Sequence, residues 1–295
     1  MQLHSINSWL DMKKQLTVRN IAIIFFLILI IGVFVLQMDR TDAITRSFDY
    51  NLHGNFSTIR VNLSSEIYDK VSSEPQPVLC YRYENDASSC NNEEIQQYYL
   101  KYLNESVQKK SLDEIVYLIK SKTPDKDDQA RIAISLVQNI PYDYSKANPL
   151  FFQTGVPRYP YMVLYEKSGI CEEKSILLAY LLRELGYGVV LFEFSPEKHM
   201  AVGIKCPVQY SFNNSGFAFV ETTAPSIPTD SYGDYVKIGK LTSNPRIIPI
   251  SDGGSFTSID EEYRDAQILN QFGSVLDESN YSRMISLEKK YGIIS

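Results

Sequence analysis

The sequence predicts an α+β fold carried behind an N-terminal transmembrane helix, and three stretches predict it. The first, "IAIIFFLILIIGVFVLQM" from Ile21 to Met38, is uncharged and apolar except for Gln37, and is about long enough to cross a bilayer core as a helix. The second, "ICEEKSILLAYLLREL" from Ile170 to Leu185, is apolar on all sides through its middle and ends before Gly186, which reads as a helix buried in a core. The third is the run that follows it: "YGVVLFEF", a turn at "SPEK", then "HMAVGIKC" and "GFAFVETT". Short runs of β-branched and aromatic residues bounded by turn residues read as antiparallel strands, and a helix followed by such strands is α+β.

Lys13, Lys14 and Arg19 precede the apolar run. The positive-inside rule therefore places residues 1–20 in the cytoplasm, the span at 21–38, and everything after it outside. A cleavable signal peptide is the rival reading; the long charged lead and the lack of a small-x-small site before "DRTDAITRS" stand against it. With 44% apolar and 22% charged residues the 295-residue chain has the composition of a folded protein. The net charge of −6 gives no basic footprint for nucleic acid.

Outside the membrane, cysteines acquire an oxidising context. Cys80 and Cys90 bracket "CYRYENDASSC" and are expected to form a local disulfide, with two free thiols as the alternative. Sequons at Asn55, Asn62, Asn104, Asn213 and Asn280 all follow the apolar run and fit, weakly, a glycosylated exported surface.

Residues 39–121 form an extracytoplasmic N-terminal region of mixed polar and aromatic character. In it "SSEIYDKVSSEPQPVLCY" reads as a short helix or turn and then a loop. "SLDEIVYLIKSK" reads as a helix opened by Ser111 with Glu114 three residues on. The main domain is expected over 122–240. It begins with a helix in "TPDKDDQARIAISLVQNIPYDY", capped near Asp125, with Ile132, Leu136 and Ile140 on one face and Pro141 as its stop. The C-terminal extension, 241–295, carries one expected helix around "IDEEYRDAQILNQF".

Cys171 falls in the first turn of the buried helix, where unpaired N–H groups and the positive end of the dipole favour a thiolate. Of the three histidines, only His199 lies in the main domain. Period-2 alternation puts His199, Ala201 and Gly203 on one face of their strand and Phe217, Phe219 and Glu221 on one face of the next. A hairpin centred near Tyr210 would set His199 across from Glu221, roughly 5 Å apart. That is where a histidine base needs an orienting carboxylate. Taken singly, each of the three has an ordinary reading: a packed thiol, a turn histidine, a solvated strand end. The combination of nucleophile, base and orienter is far more specific.

The order "SGICEEKSILLAYLLRELGYGVVL", then "KHMAVGI", then "FAFVETT", resembles the transglutaminase-like superfamily, in particular its exported archaeal and bacterial forms, over about Asp125 to Tyr235. The resemblance implies a papain-like core, a cysteine-bearing helix packed on an antiparallel sheet. It also implies Cys171 as nucleophile, His199 as base and Glu221 in the place usually held by an aspartate. Gln153, upstream of Cys171, is a candidate side-chain donor to an oxyanion hole, with an ordinary loop glutamine as the alternative.

Such enzymes transfer acyl groups through a Cys thioester. Water as acceptor gives a peptidase or amidase, and an amine gives cross-linking. The expectation is thus a membrane-anchored, extracytoplasmic cysteine enzyme acting on protein or peptide substrates of the cell envelope, without cofactor or metal. A non-catalytic envelope-binding module on the same fold is the alternative. A metal site through His199, Cys206, Cys171 and a carboxylate fits poorly, because Cys206 lies about 23 Å along an extended strand from His199.

Overall fold

The structure is a computed structural model that describes residues 43–78, 90–147, 156–233, 239–272 and 278–293, with the single positions 20 and 26. The apolar run at 21–38 apart from position 26, and also Cys80 and Gln153, lie outside the described residues. Among those described, no helix is long and apolar enough to cross a membrane. By internal contacts the chain divides into two units. Residues Met1–Ala43 with Ser64–Glu66 form one, Ile44–Leu63 with Ile67–Ser295 the other.

In chain order the elements are β1 (Ala43–Leu52), β2 (Asn55–Ser64), α1 (Ser65–Ser73), α2 (Asn92–Leu103), α3 (Ser106–Lys120), α4 (Lys126–Gln138), α5 (Pro160–Glu166) and α6 (Cys171–Glu184), followed by β3 (Val189–Phe194), β4 (His199–Lys205), β5 (Phe217–Val220), β6 (Arg246–Ser251), α7 (Asp260–Phe272) and α8 (Glu278–Tyr291). β1 and β2 form a two-stranded ribbon; the others make a four-stranded sheet in the order β5-β4-β3-β6. All pairings in that sheet are antiparallel.

The expected α+β order of buried helix and antiparallel strands is present. α6 is the centre of the larger unit, with Ile176, Leu177, Leu178, Leu181 and Leu182 fully buried. One side of it rests on the sheet face made by Val189, Leu191, Met200, Val202, Ile204 and Val220, and α2 to α5 pack against it in the same core. The opposite sheet face carries a second, aromatic cluster of Val190, Phe192, Phe194, Ala201 and Phe219. Gly203 belongs to that face, and a Cβ there would stand 2.4 Å from Val190 Cγ2 and 2.8 Å from Phe192. Only glycine admits the close approach.

Asp125 caps α4 as expected, accepting from Asp128 N at 2.9 Å. The helix beginning at Ser111 is corrected: α3 opens five residues earlier, with Glu105 as its cap. The register of β4 on β5 is also corrected. Gly203 pairs with Phe219 and Val202 with Val220, a shift of two residues from the hairpin centred near Tyr210. The connection contains two short 3₁₀ turns and left-handed Asn213, Asn214 and Gly216, and it closes where Cys206 N bonds Gly216 O at 2.9 Å. An even shift leaves each side chain on its expected face.

Two features lie beyond the boundaries expected for the main domain. β6, past residue 240, completes the sheet as an edge strand beside β3. α2 and α3, before residue 122, pack on α6. Cys90 is disulfide-bonded, and its expected partner Cys80 lies outside the described residues.

Candidate active site

Cys171 is the first residue of α6, after Ile170 in extended conformation. The helix starts there because Glu173 turns back on it. Glu173 Oε2 accepts from Ile170 N at 3.0 Å, the return arm of a capping box, although isoleucine has no oxygen to supply the other arm. The buried Glu173 carboxylate also accepts from Arg158 N at 2.8 Å and pairs with Lys146 Nζ. Arg158 in turn pairs with Asp143 and, at 2.7 Å, with Glu166. This ionic cluster fixes the entry to the helix and hence the position of the thiol.

His199 opens β4 and is 2% exposed; Glu221, directly after β5, is 1% exposed. His199 Nε2 donates to Glu221 Oε2 at 2.8 Å. The other carboxylate oxygen accepts from Thr222 N at 2.9 Å, and from Thr223 N and Thr223 Oγ1 at 2.8 Å each. With Nε2 committed to Glu221, the ring nitrogen left for the Cys171 thiol is Nδ1. Phe194 stacks on the ring with centroids 6.4 Å apart. Cys171 Sγ lies 4.0 Å from Lys198 O, and Ser175 Oγ bonds Met200 O at 3.2 Å and Thr222 Oγ1 at 3.1 Å. The start of α6, β4 and the loop after β5 are thereby tied together.

Burial disfavours a charged imidazole, but hydrogen bonding and attraction from Cys171 and Glu221 outweigh it. They raise His199 from its ordinary 6.5 to about 10. Burial likewise works against the Glu221 carboxylate, yet His199 and the Thr223 donors hold it below its usual value. The arrangement therefore favours an imidazolium paired with the Glu221 carboxylate.

Tyr142 was not singled out in the sequence. It follows Pro141 in the segment leaving α4 and bridges to Gly169, two residues before Cys171. Burial first, and then the neighbouring Cys171, push its hydroxyl above the ordinary phenol range, and it contacts both the thiol and the main chain of Cys171. The available signal was an aromatic at a helix stop in "IPYDY", which does not by itself separate a site residue from a packed one. Cys206 is buried at the far end of β4, its thiol pushed up to about 12 by burial. Among the described residues no group of three or more His, Cys, Asp or Glu side chains is placed to hold a metal.

A family model described as a transglutaminase-like domain matches residues 94–246, just over half of the chain. The chain belongs to that family. No curated protein matches it. A solved structure from Parabacteroides distasonis, described as a "putative protease", is similar at 13% identity with a TM-score of 0.36, over 74% of this chain. The match spans 42% of that protein's length.

Proposed function

We propose that the chain is a thiol acyltransferase acting on amide bonds, with Cys171 as nucleophile, His199 as acid and base, and Glu221 as the group that orients and charges His199. The observation that carries this reading is the buried imidazole shared between a helix-opening cysteine and a fourfold hydrogen-bonded carboxylate.

The Cys171 thiolate attacks the carbonyl carbon, forming the C–S bond as the carbonyl π electrons move to oxygen. The Cys171 N–H, in the first turn of α6, and the Tyr142 hydroxyl beside Cys171 are the donors on hand for that oxyanion. As the C–N bond breaks, the His199 imidazolium gives its proton to the departing amine. Water or a second amine, deprotonated by the now neutral His199, then attacks the thioester and releases Cys171. Water makes the enzyme a peptidase or amidase, an amine a cross-linker. Glu221 holds the Nε2 proton throughout, so the nitrogen facing sulfur does the exchanging.

The reading extends to location: a membrane-anchored enzyme with its domain on the outer face. The uncharged run at 21–38 behind Lys13, Lys14 and Arg19 supports it, as does the disulfide-bonded Cys90, which suits an oxidising compartment.

The test is intact-mass detection of the acyl-enzyme after mixing the full-length protein with p-nitrophenyl acetate, followed by addition of a primary amine or water alone. Acetylation at Cys171, absent in Cys171→Ala and slowed in Glu221→Gln, is the expected outcome. Loss of the acetyl group faster with amine than without it marks a cross-linker. A wild-type protein that forms no adduct at Cys171 assigns the fold to envelope binding instead.

A further inference from the structure

Lys174 stands one turn after the nucleophile and is fully buried. Buried lysines are rare unless paired, and this one meets main-chain carbonyls: Ile140 O at 2.5 Å, Thr223 O at 3.1 Å and Gln138 O at 3.3 Å. An ammonium has three donors, so three carbonyls satisfy it. The carbonyls belong to the segments that hold the rest of the site. Gln138 is the last residue of α4, where unpaired carbonyls and the negative end of the dipole favour a cation. Ile140 is two residues before Tyr142. Thr223 supplies both its N–H and its hydroxyl to Glu221 Oε1.

We propose that Lys174 is a positioning residue for the acyl-transfer site: by gripping Ile140 and Thr223 from the nucleophile's own helix, it sets the Glu221 clamp and the Tyr142 segment in register with Cys171. The inference rests on the reading of Cys171, His199 and Glu221 as one site. Burial pulls the amine down to about 7, while attraction to Glu221 and Cys171 works to keep its proton. The grip is therefore best examined on the acid side of neutrality.

The test is solvent exchange of the His199 Nε2 proton, followed by NMR at pH 6 in the full-length protein and in Lys174→Met, which keeps the length and removes the donors. Loss of the grip lets Glu221 drift, and the Nε2 proton should exchange at least roughly tenfold faster. Backbone amides of β4, such as Val202, report any general loss of stability. An increase at His199 beyond that at Val202 supports the proposal; equal increases, or none, overturn it and leave Lys174 a core residue. Should Met not fold, Lys174→Gln takes its place, and failure of both to fold likewise assigns Lys174 to the core alone. Alkylation of Cys171 in the same wild-type sample reports separately on the acyl-transfer reading: an inert thiol there ends that reading without altering what the exchange rates say about Lys174.

Discussion

His199 carries a charge that its burial opposes, and its neighbours decide the outcome. Its proton affinity is raised in the fold from 6.5 to about 10, so its contribution to stability is complete below pH 6.5 and is lost as pH rises towards 10. Glu221 is lowered from 4.5, so its contribution is complete above 4.5 and is lost as pH falls through its lower folded value. Stability should accordingly be highest between these limbs. Glu221→Gln should flatten both and cost about 2 kcal/mol at pH 6, read by denaturant melts across pH. Limbs of unchanged slope would separate Glu221 from the charge of His199. These residues were legible in the sequence because each sits at an element end whose face the periodicity fixes. Tyr142 was not, since its role depends on a long-range bridge to Gly169.

At the scale of elements, α6 is held at its entry by a buried carboxylate rather than by the usual serine or aspartate cap. Glu173 pairs with Lys146 and lies 3.7 Å from Arg158 Nε. Glu173→Gln leaves two cations facing a neutral group, and we expect a loss of about 3 kcal/mol in urea melts; a change within about 0.5 kcal/mol, the range of an ordinary surface substitution, contradicts that role. In the sheet, Gly203→Ala should cost about 1–3 kcal/mol through overpacking against Val190 and Phe192, and a neutral result would show that the aromatic face yields. The β4–β5 register was misjudged by two residues because left-handed Asn213 and Asn214 reshape the connection, a conformation that composition does not announce. The β1–β2 ribbon turns through left-handed His53 and Gly54, and histidine is a weak turn signal beside asparagine. β6 contains Pro249 and survives as an edge strand, where a missing N–H is tolerated.

The larger unit is organised around one helix, α6. The leucines of α6 fill the space between the sheet and α2 to α5, while its first residue, Cys171, meets His199 of β4, which is bonded to Glu221 after β5. Leu178→Ala should therefore cost about 2–5 kcal/mol in a melt, yet its folded fraction should keep the wild-type alkylation rate at Cys171; a rate that fell with stability would mean that the site and the core are not separable. The antiparallel core was readable from the chain because a helix apolar on all sides can only be central. The contributions from before residue 122 and after residue 240 were not, because amphipathic helices and an edge strand carry no mark of where they dock.

The measurement that bears most directly on this account is the pH dependence of Cys171 alkylation in the full-length protein, beside the same protein carrying His199→Ala. Peptide mass analysis separates Cys171 from Cys206, the other free thiol among the described residues, whose burial pushes it up to about 12 and makes it an internal slow reference. The account predicts that at neutral pH Cys171 is labelled far faster than Cys206, and that this advantage disappears in His199→Ala. Equal labelling of the two thiols in the wild type, or a Cys171 rate and pH profile unchanged by His199→Ala, would contradict it.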